Sequence, residues 1–212
     1  MVSRRGKIRI EKERLILNAA EEIFARFGFK GATTARIAEL AGVSKASLHY
    51  YFPTKESLYR RVLEDLCQAW MDAAAAFDEY DDPRKALPTY IKAKMELSRS
   101  RPYGSKVWAN EIIHGAPILR GYLSGTLKPW FERHVARIDT WVARGDIDPV
   151  DPHALLFMIW ATTQHYADFS EQIRVLSGPS SLTRKRLEDR GQQVADIILK
   201  GVGAFGEHRS DR

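Results

Sequence analysis

Apolar residues return every three or four positions along almost the whole chain, and runs of strict alternation are absent. That spacing builds helices with one dry stripe and leaves almost no strand signal. Ile16, Ala20, Ile23, Phe24 and Phe27 share a face of a first helix expected from about residue 9 to Phe27, which Gly28 and Gly31 then break. A long pattern starts after Thr54 and runs to about Phe77, with Leu58, Val62, Leu66 and Trp70 inward, until Asp81-Asp82-Pro83 ends it. Helices over about 84–99 and 103–114 follow, divided by Arg101-Pro102 and closed by Gly115-Ala116-Pro117. Leu119, Leu123, Leu127, Trp130, Val135, Ile138 and Trp141 predict one amphipathic helix over 118–143. After Gly145-Asp146-Ile147-Asp148-Pro149, a helix opened by Asp151-Pro152 runs to about Ser170 and is nearly apolar all round. Such a helix is buried, either inside one subunit or against a second. A loop at Ser177–Ser181 precedes a last helix over 182–205 with Leu187, Val194, Ile198, Val202 and Phe205, and the charged tail after Gly206 is expected to fray. The pattern predicts an all-α fold of about nine helices.

Between the first two long helices, residues 33–58 read TTARIAELAGVSKASLHYYFPTKESL. Thr33 can cap a short helix whose apolar stripe is Ile37, Ala38 and Ala41. Gly42-Val43 makes a tight turn, and Ser44 can cap a second, very short helix with Leu48 inward. Two short helices around a glycine turn are the layout of a helix-turn-helix, whose second helix enters the major groove of DNA. Residues 1–55 are expected to form this DNA-binding domain, and residues 56–212 a helical bundle for ligand binding and dimerisation.

Charge sharpens that division. Residues 1–61 hold thirteen Lys and Arg against six Asp and Glu, while the remainder holds twenty against twenty-one. The net charge of +6 therefore resides in the segment with the helix-turn-helix, as binding to phosphates requires. No apolar run approaches the roughly eighteen residues of a membrane span, and MVSRRGKIRI is basic without an apolar stretch behind it, so neither a membrane partner nor a signal peptide is expected. The single Cys67 cannot close an internal disulfide and is expected as a buried, inert thiol, consistent with a cytoplasmic protein.

On the short second helix, Lys45, Ser47 and His49 are positioned for base and phosphate contact, with Ser44 at its start and Tyr50 packing on the backbone. Thr34 and Arg36 open the supporting helix and can reach phosphates. Lys55, at the start of the next helix, is the side chain expected on a phosphate, with the backbone amides there sharing that task. Tyr51 can hold the backbone or pack in the core; the sequence leaves both open. Arg4, Arg5, Lys7 and Arg9 can form a minor-groove arm.

Farther along, Trp70, Tyr103, Trp108, Glu111, His114, Trp160 and Gln164 put rings and polar groups on otherwise apolar helices, a set that suits a planar heterocycle between the helices 103–114 and 153–169. Packing of the tryptophans in the core and pairing of the polar groups at a dimer seam is the alternative. Glu111-x-x-His114 and His165-x-x-Asp168 each share a helix face, but a metal bundle needs ligands from further helices, so no metal or cofactor is expected. No nucleophile elbow or Gly-rich phosphate loop is present and no catalytic set converges in residues 83–206, so an enzyme is not expected.

The run IAELAGVSKASLHYYFPTKESLY resembles the DNA-binding signature of TetR-type repressors, a likeness that spans about residues 10–60 and includes the glycine turn, Tyr50-Tyr51, Phe52 and Lys55. It implies an all-α homodimer that binds a palindromic operator and carries a variable ligand-binding C-terminal domain. A narrower likeness joins Gly115-Ala116-Pro117 and the segment 149–169 to the pyrimidine-utilisation regulators of that family, and implies a pyrimidine as the small-molecule effector. A ligand-independent DNA-binding repressor or architectural factor, or a regulator with an unrelated hydrophobic ligand, fits the same motif.

Overall fold

Helices form all of the regular structure among the described residues. The structure, a computed structural model, describes the backbone of residues 4–204 and the side chains of residues 8–204. The side chains of Arg4, Arg5 and Lys7, expected in a minor-groove arm, lie outside the described residues, as do Phe205 and the tail after Gly206. The chain divides into two compact units, one made of Met1–Gln68 with Tyr103–Tyr122, the other of Ala69–Pro102 with Leu123–Arg212.

In the first unit, α1 (Arg4–Gly31) buries Ile16, Ala20, Ile23 and Phe24, and at Gly28 it turns to φ 66°, a left-handed conformation that glycine adopts without strain. The helix-turn-helix follows as expected, with α2 (Thr34–Leu40) and α3 (Lys45–Tyr51). Phe27, expected inward, is exposed, and the Arg36 guanidinium lies 4.8 Å from its ring. Helix α4 (Lys55–Ala73) starts on a reciprocal cap: Ser57 N donates to Thr54 Oγ1 at 2.9 Å, and Thr54 N to Ser57 Oγ at 3.2 Å. It buries Leu58, Val62, Leu66 and Cys67 and continues from the first unit into the second. Helix α7 (Pro102–Ile113) returns to the first unit at Gly104, where a Cβ would stand 3.0 Å from Glu21 Oε2 and 3.1 Å from Leu66 Cδ1, so the close approach suits glycine.

The second unit contains the short α5 (Ala76–Glu79) and α6 (Pro83–Ser100), capped by Asp82, whose carboxylate accepts from Arg84 N at 2.9 Å. The corner before α6 is pinned: Asp81 pairs with Arg137 at 2.9 Å and with Arg144 at 2.8 Å, and its carbonyl accepts from Trp141 Nε1 at 2.8 Å. The amphipathic helix expected over 118–143 is divided into a turn of α8 (Arg120–Tyr122), a π-helical turn over Leu123–Leu127, and α9 (Lys128–Arg144). Pro129 has no N–H to offer the carbonyl of Gly125, which accounts for the irregular turn. The buried His134 lies tilted against Trp130 with centroids 4.1 Å apart, and burial pushes its pKa below the ordinary imidazole value.

Helix α10 (Pro152–Asp168), capped by Asp151, buries Leu155, Leu156, Ile159, Thr163 and Ala167. The chain then forms α11 (Ser170–Ser177), an element absent from the expected plan, and α12 (Arg184–Gly201), which buries Leu187, Ala195 and Ile198.

Lys55 ties the first unit together. Its Nζ donates to the carbonyls of Phe29 at 2.8 Å, Ala32 at 3.0 Å and Lys30 at 3.5 Å, and lies 4.7 Å from the Phe29 ring centroid. A cation here satisfies carbonyls left open where α1 ends. Lys55→Met is expected to destabilise the protein by about 1.5–3 kcal/mol, the usual worth of hydrogen bonds to a charged group. A urea midpoint equal to the parent's would exclude this role.

Candidate nucleic-acid interface and effector residues

Helix α3 has two sides. Leu48 is 0% exposed and Phe52 behind it is buried, whereas Lys45 and Tyr50 are exposed and Ser47, His49 and Tyr51 are half-buried. Ser44 serves the helix itself, its Oγ accepting from Ser47 N at 3.1 Å, as Thr33 Oγ1 accepts from Arg36 N at 3.3 Å on α2. Gly42, at φ 65°, closes the turn between them. Tyr50 and Tyr51 meet edge to face with centroids 5.4 Å apart. His49 Nδ1 lies 3.3 Å from the carbonyl of Pro53. That side of the unit thus offers hydroxyl, imidazole, ammonium and phenol groups on one rigid turn, a mixture suited to base edges and phosphates.

Thr34 is half-buried and Arg36 exposed at the start of α2. Lys55, half-buried at the start of α4, directs its ammonium to the carbonyl oxygens at the end of α1. Nothing local signals this, because the three carbonyls lie more than twenty residues earlier in the chain.

The residues expected around an effector fall in both units. Tyr103, Trp108, Glu111 and His114 belong to the first, and Trp70, Trp160 and Gln164 to the second. Within the first unit, Tyr103 Oη accepts from Arg26 at 3.3 Å, and His114 Nδ1 lies 2.6 Å from Asn110 O on an exposed turn. Glu111 is buried and caps the following loop, accepting from Ile118 N at 2.7 Å and Leu119 N at 3.1 Å. Tyr59 also hydrogen-bonds Glu111, and burial, together with that carboxylate, raises the phenol's pKa well above its ordinary value. Arg60 donates to Ile118 O at 3.0 Å, so this loop is held from α4 and α7 together.

Within the second unit, Trp160 Nε1 donates to Tyr90 Oη at 2.8 Å, and the indole stands 5.5 Å from the Phe131 ring and 6.3 Å from Trp130. Trp70 carries the ammonium of Lys94 4.2 Å from its ring centroid. Lys94 is buried and was absent from the expected set, since a lysine in an amphipathic helix reads as surface. Gln164, half-buried, lies one turn from Trp160 on α10. Among the described residues no three His, Cys, Asp or Glu side chains gather as metal ligands, and no helix is long and apolar enough to cross a membrane.

Comparison with known proteins agrees with this layout. Residues 16–62 match the family model of bacterial regulatory proteins of the tetR family, and residues 63–205 match that of the C-terminal region of YcdC-like proteins. The chain is 42% identical over 191 residues to the HTH-type transcriptional regulator RutR of Escherichia coli, covering 90% of each chain. The fold is shared with the TetR family regulator PfmR of Thermus thermophilus (TM-score 0.70, 18% identity, 99% of this chain and 100% of that one). It is also shared with the ketosteroid regulator KstR2 of Mycobacterium tuberculosis (TM-score 0.67, 22% identity, 95% and 96%). The chain belongs to the tetR family and is a DNA-binding transcriptional regulator.

Proposed function

We propose that the protein is a repressor that binds a palindromic operator as a homodimer and is controlled by a small planar effector, a pyrimidine. The observation that carries the DNA-reading role is α3, where Leu48 is buried and Lys45, Ser47, His49 and Tyr50 stand on the outer side of the same seven residues. Ser47 and His49 read base edges; Lys45, Tyr50, Tyr51, Thr34 and Arg36 hold phosphates, together with the backbone amides at the start of α4. Ser44 caps α3, and Lys55 holds the end of α1.

The dimer uses the second unit. Phe157 and Met158 on α10, Phe169, Val175 and Leu176 around α11, and Ile197 on α12 are all exposed, Val175 and Leu176 at 76% each. Apolar surface of that extent is what an isologous two-fold interface covers, and two-fold symmetry matches a palindrome. The two readers then sit one DNA turn apart, on the order of 34–36 Å, or a multiple of it.

The effector reading rests on the likeness of segment 149–169 to the pyrimidine-utilisation regulators and on the rings of the second unit. A ligand acts here only by favouring one arrangement of the two readers over the other, and α4, which passes from one unit to the other, is the element through which it does so.

Three outcomes test this function. Ser47→Ala and His49→Ala should each lower discrimination between operator and random DNA by about 1–3 kcal/mol; variants that discriminate as well as the parent would remove base readout from these residues. Light scattering at micromolar concentration should give twice the chain mass of 24.2 kDa, and a stable monomer would refute the two-fold arrangement. Uracil or thymine should displace the protein from its operator in a gel-shift titration and give heat in calorimetry, with Gln164→Leu weakening both. Silence from both ligands would leave the DNA-binding role in place and exclude pyrimidine control.

A further inference from the structure

Phe27 is the last residue of α1 before the left-handed turn at Gly28, and its side chain is 46% exposed. A single exposed apolar residue needs no explanation by itself; what marks Phe27 is its neighbour. The Arg36 guanidinium lies over the ring, its Cζ 4.8 Å from the centroid. The segment that joins the two is held at each step. Gly28 O accepts from Ala32 N at 3.1 Å, Lys55 Nζ donates to the carbonyls of Phe29 at 2.8 Å and Ala32 at 3.0 Å, and Thr33 Oγ1 accepts from Arg36 N at 3.3 Å. Ring and guanidinium therefore meet across a fixed corner of the first unit, at the start of α2.

Other arginines of α1 and α4 are held differently. Arg14 pairs with Glu11 at 2.8 Å, Arg26 with Glu22 at 2.8 Å, Arg60 with Glu56 at 3.6 Å and Arg61 with Glu13 at 3.6 Å. A carboxylate restrains a guanidinium but also cancels its charge. Among the described residues, Arg36 has no carboxylate at ion-pair distance and its guanidinium makes no hydrogen bond. An aromatic ring attracts the cation through its quadrupole, carries no net charge and accepts no conventional hydrogen bond from the guanidinium fork. Arg36 is thus restrained while its whole charge and its planar donors stay available to a phosphate.

We propose that Phe27 is a positioning residue for DNA binding, its ring holding the Arg36 guanidinium in the place from which it meets a phosphate. The inference rests on the phosphate role given to Arg36 above and adds how that side chain is made ready. A free arginine loses the freedom of several rotatable bonds when it docks on DNA. One already ordered on folding loses less of it at association, so the complex is tighter with no added contact. A leucine in place of Phe27 keeps an apolar side chain at the position and removes the quadrupole. A tyrosine keeps both.

The test uses the full chain, a duplex that the parent protein recovers from a random-sequence pool, and a scrambled duplex of the same length. Fluorescence anisotropy at several salt concentrations gives the affinity and its salt slope. Arg36→Gln should lower that slope by about 0.9 for each reader bound, on both duplexes. Phe27→Leu should weaken binding about 2–10-fold for each reader, Phe27→Tyr should bind as the parent does, and Phe27→Leu should add no loss once Arg36 is glutamine. If Arg36→Gln lowers the slope while Phe27→Leu binds as the parent does, the proposal is overturned and the phosphate role of Arg36 stands. An Arg36→Gln slope equal to the parent's would remove both. A loss in Phe27→Leu that persists beside Arg36→Gln would assign the ring to the fold or to a DNA contact of its own, and tighter binding would show that the ring withholds the guanidinium; either result overturns the proposal. Circular dichroism melting of the DNA-free proteins accompanies the titrations. If Phe27→Leu melts far below the parent, the same cycle is run with Phe27→Met, whose unaltered affinity in the presence of Arg36 would also overturn the assignment.

Discussion

Seven residues are too few for a helix to persist alone in water, yet α3 has to be rigid to read DNA. Its order comes from what it docks on. Leu48 enters the core of the first unit, Ser44 satisfies an amide at one end, and the buried Phe52 closes the other. In the same unit, Phe24 and Phe29 of α1 and Tyr59 of α4 pack with centroids 4.9–6.3 Å apart, and Lys55 clamps the last carbonyls of α1. Small loops and capping side chains thus carry a precision that a longer helix would supply by itself. Removing any of them loosens the reader without touching a DNA-facing atom.

Legibility in the sequence followed the range of the interaction. Features set within a few residues were plain: the 3.6-residue stripes of α1 and α4, the caps at Thr33, Ser44, Asp82 and Asp151, and the turns at Gly42 and Gly145. The irregular turn before α9 was a local signal too, since Pro129 stands inside the apolar pattern, but the continuous stripe from Leu119 to Trp141 outweighed it. Contacts that the sequence did not announce depend on how separate segments fold together. Lys55 looks like an exposed cation until the end of α1 is folded beside it. The Glu111 carboxylate is met by amides of the loop after α7, seven and eight residues on. Lys94 looks like a surface lysine because periodicity assigns it by residue type, and only packing against α10 shows it inside.

Placing Tyr103–Tyr122 with the reader has a mechanical consequence. Glu111, Tyr59 and Arg60 fasten the loop at Ile118 to α4 within one unit. Buried charge–amide bonds of this kind resist gradual stretching, because an intermediate geometry leaves the carboxylate poorly solvated. Within that unit the loop at Ile118 is therefore a fixed point, held from α4 and α7 together.

Helix α10 explains why its own sequence has no polar face. Leu155, Leu156, Ile159, Thr163 and Ala167 serve the interior of the second unit, while Phe157 and Met158 leave apolar surface on the outside. One helix then borders three environments: the core, the seam with α6 where Trp160 and Tyr90 meet, and the exposed apolar surface of Phe157 and Met158. A ring inserted at that seam cannot be accommodated by compressing a packed interior, so α10 has to shift as a unit. Because the same helix presents Phe157 and Met158, such a shift moves the apolar surface that the proposed two-fold interface would cover. In the proposed dimer, a ligand at that seam would act on the spacing of the readers without touching them, provided it binds one arrangement more tightly than the other.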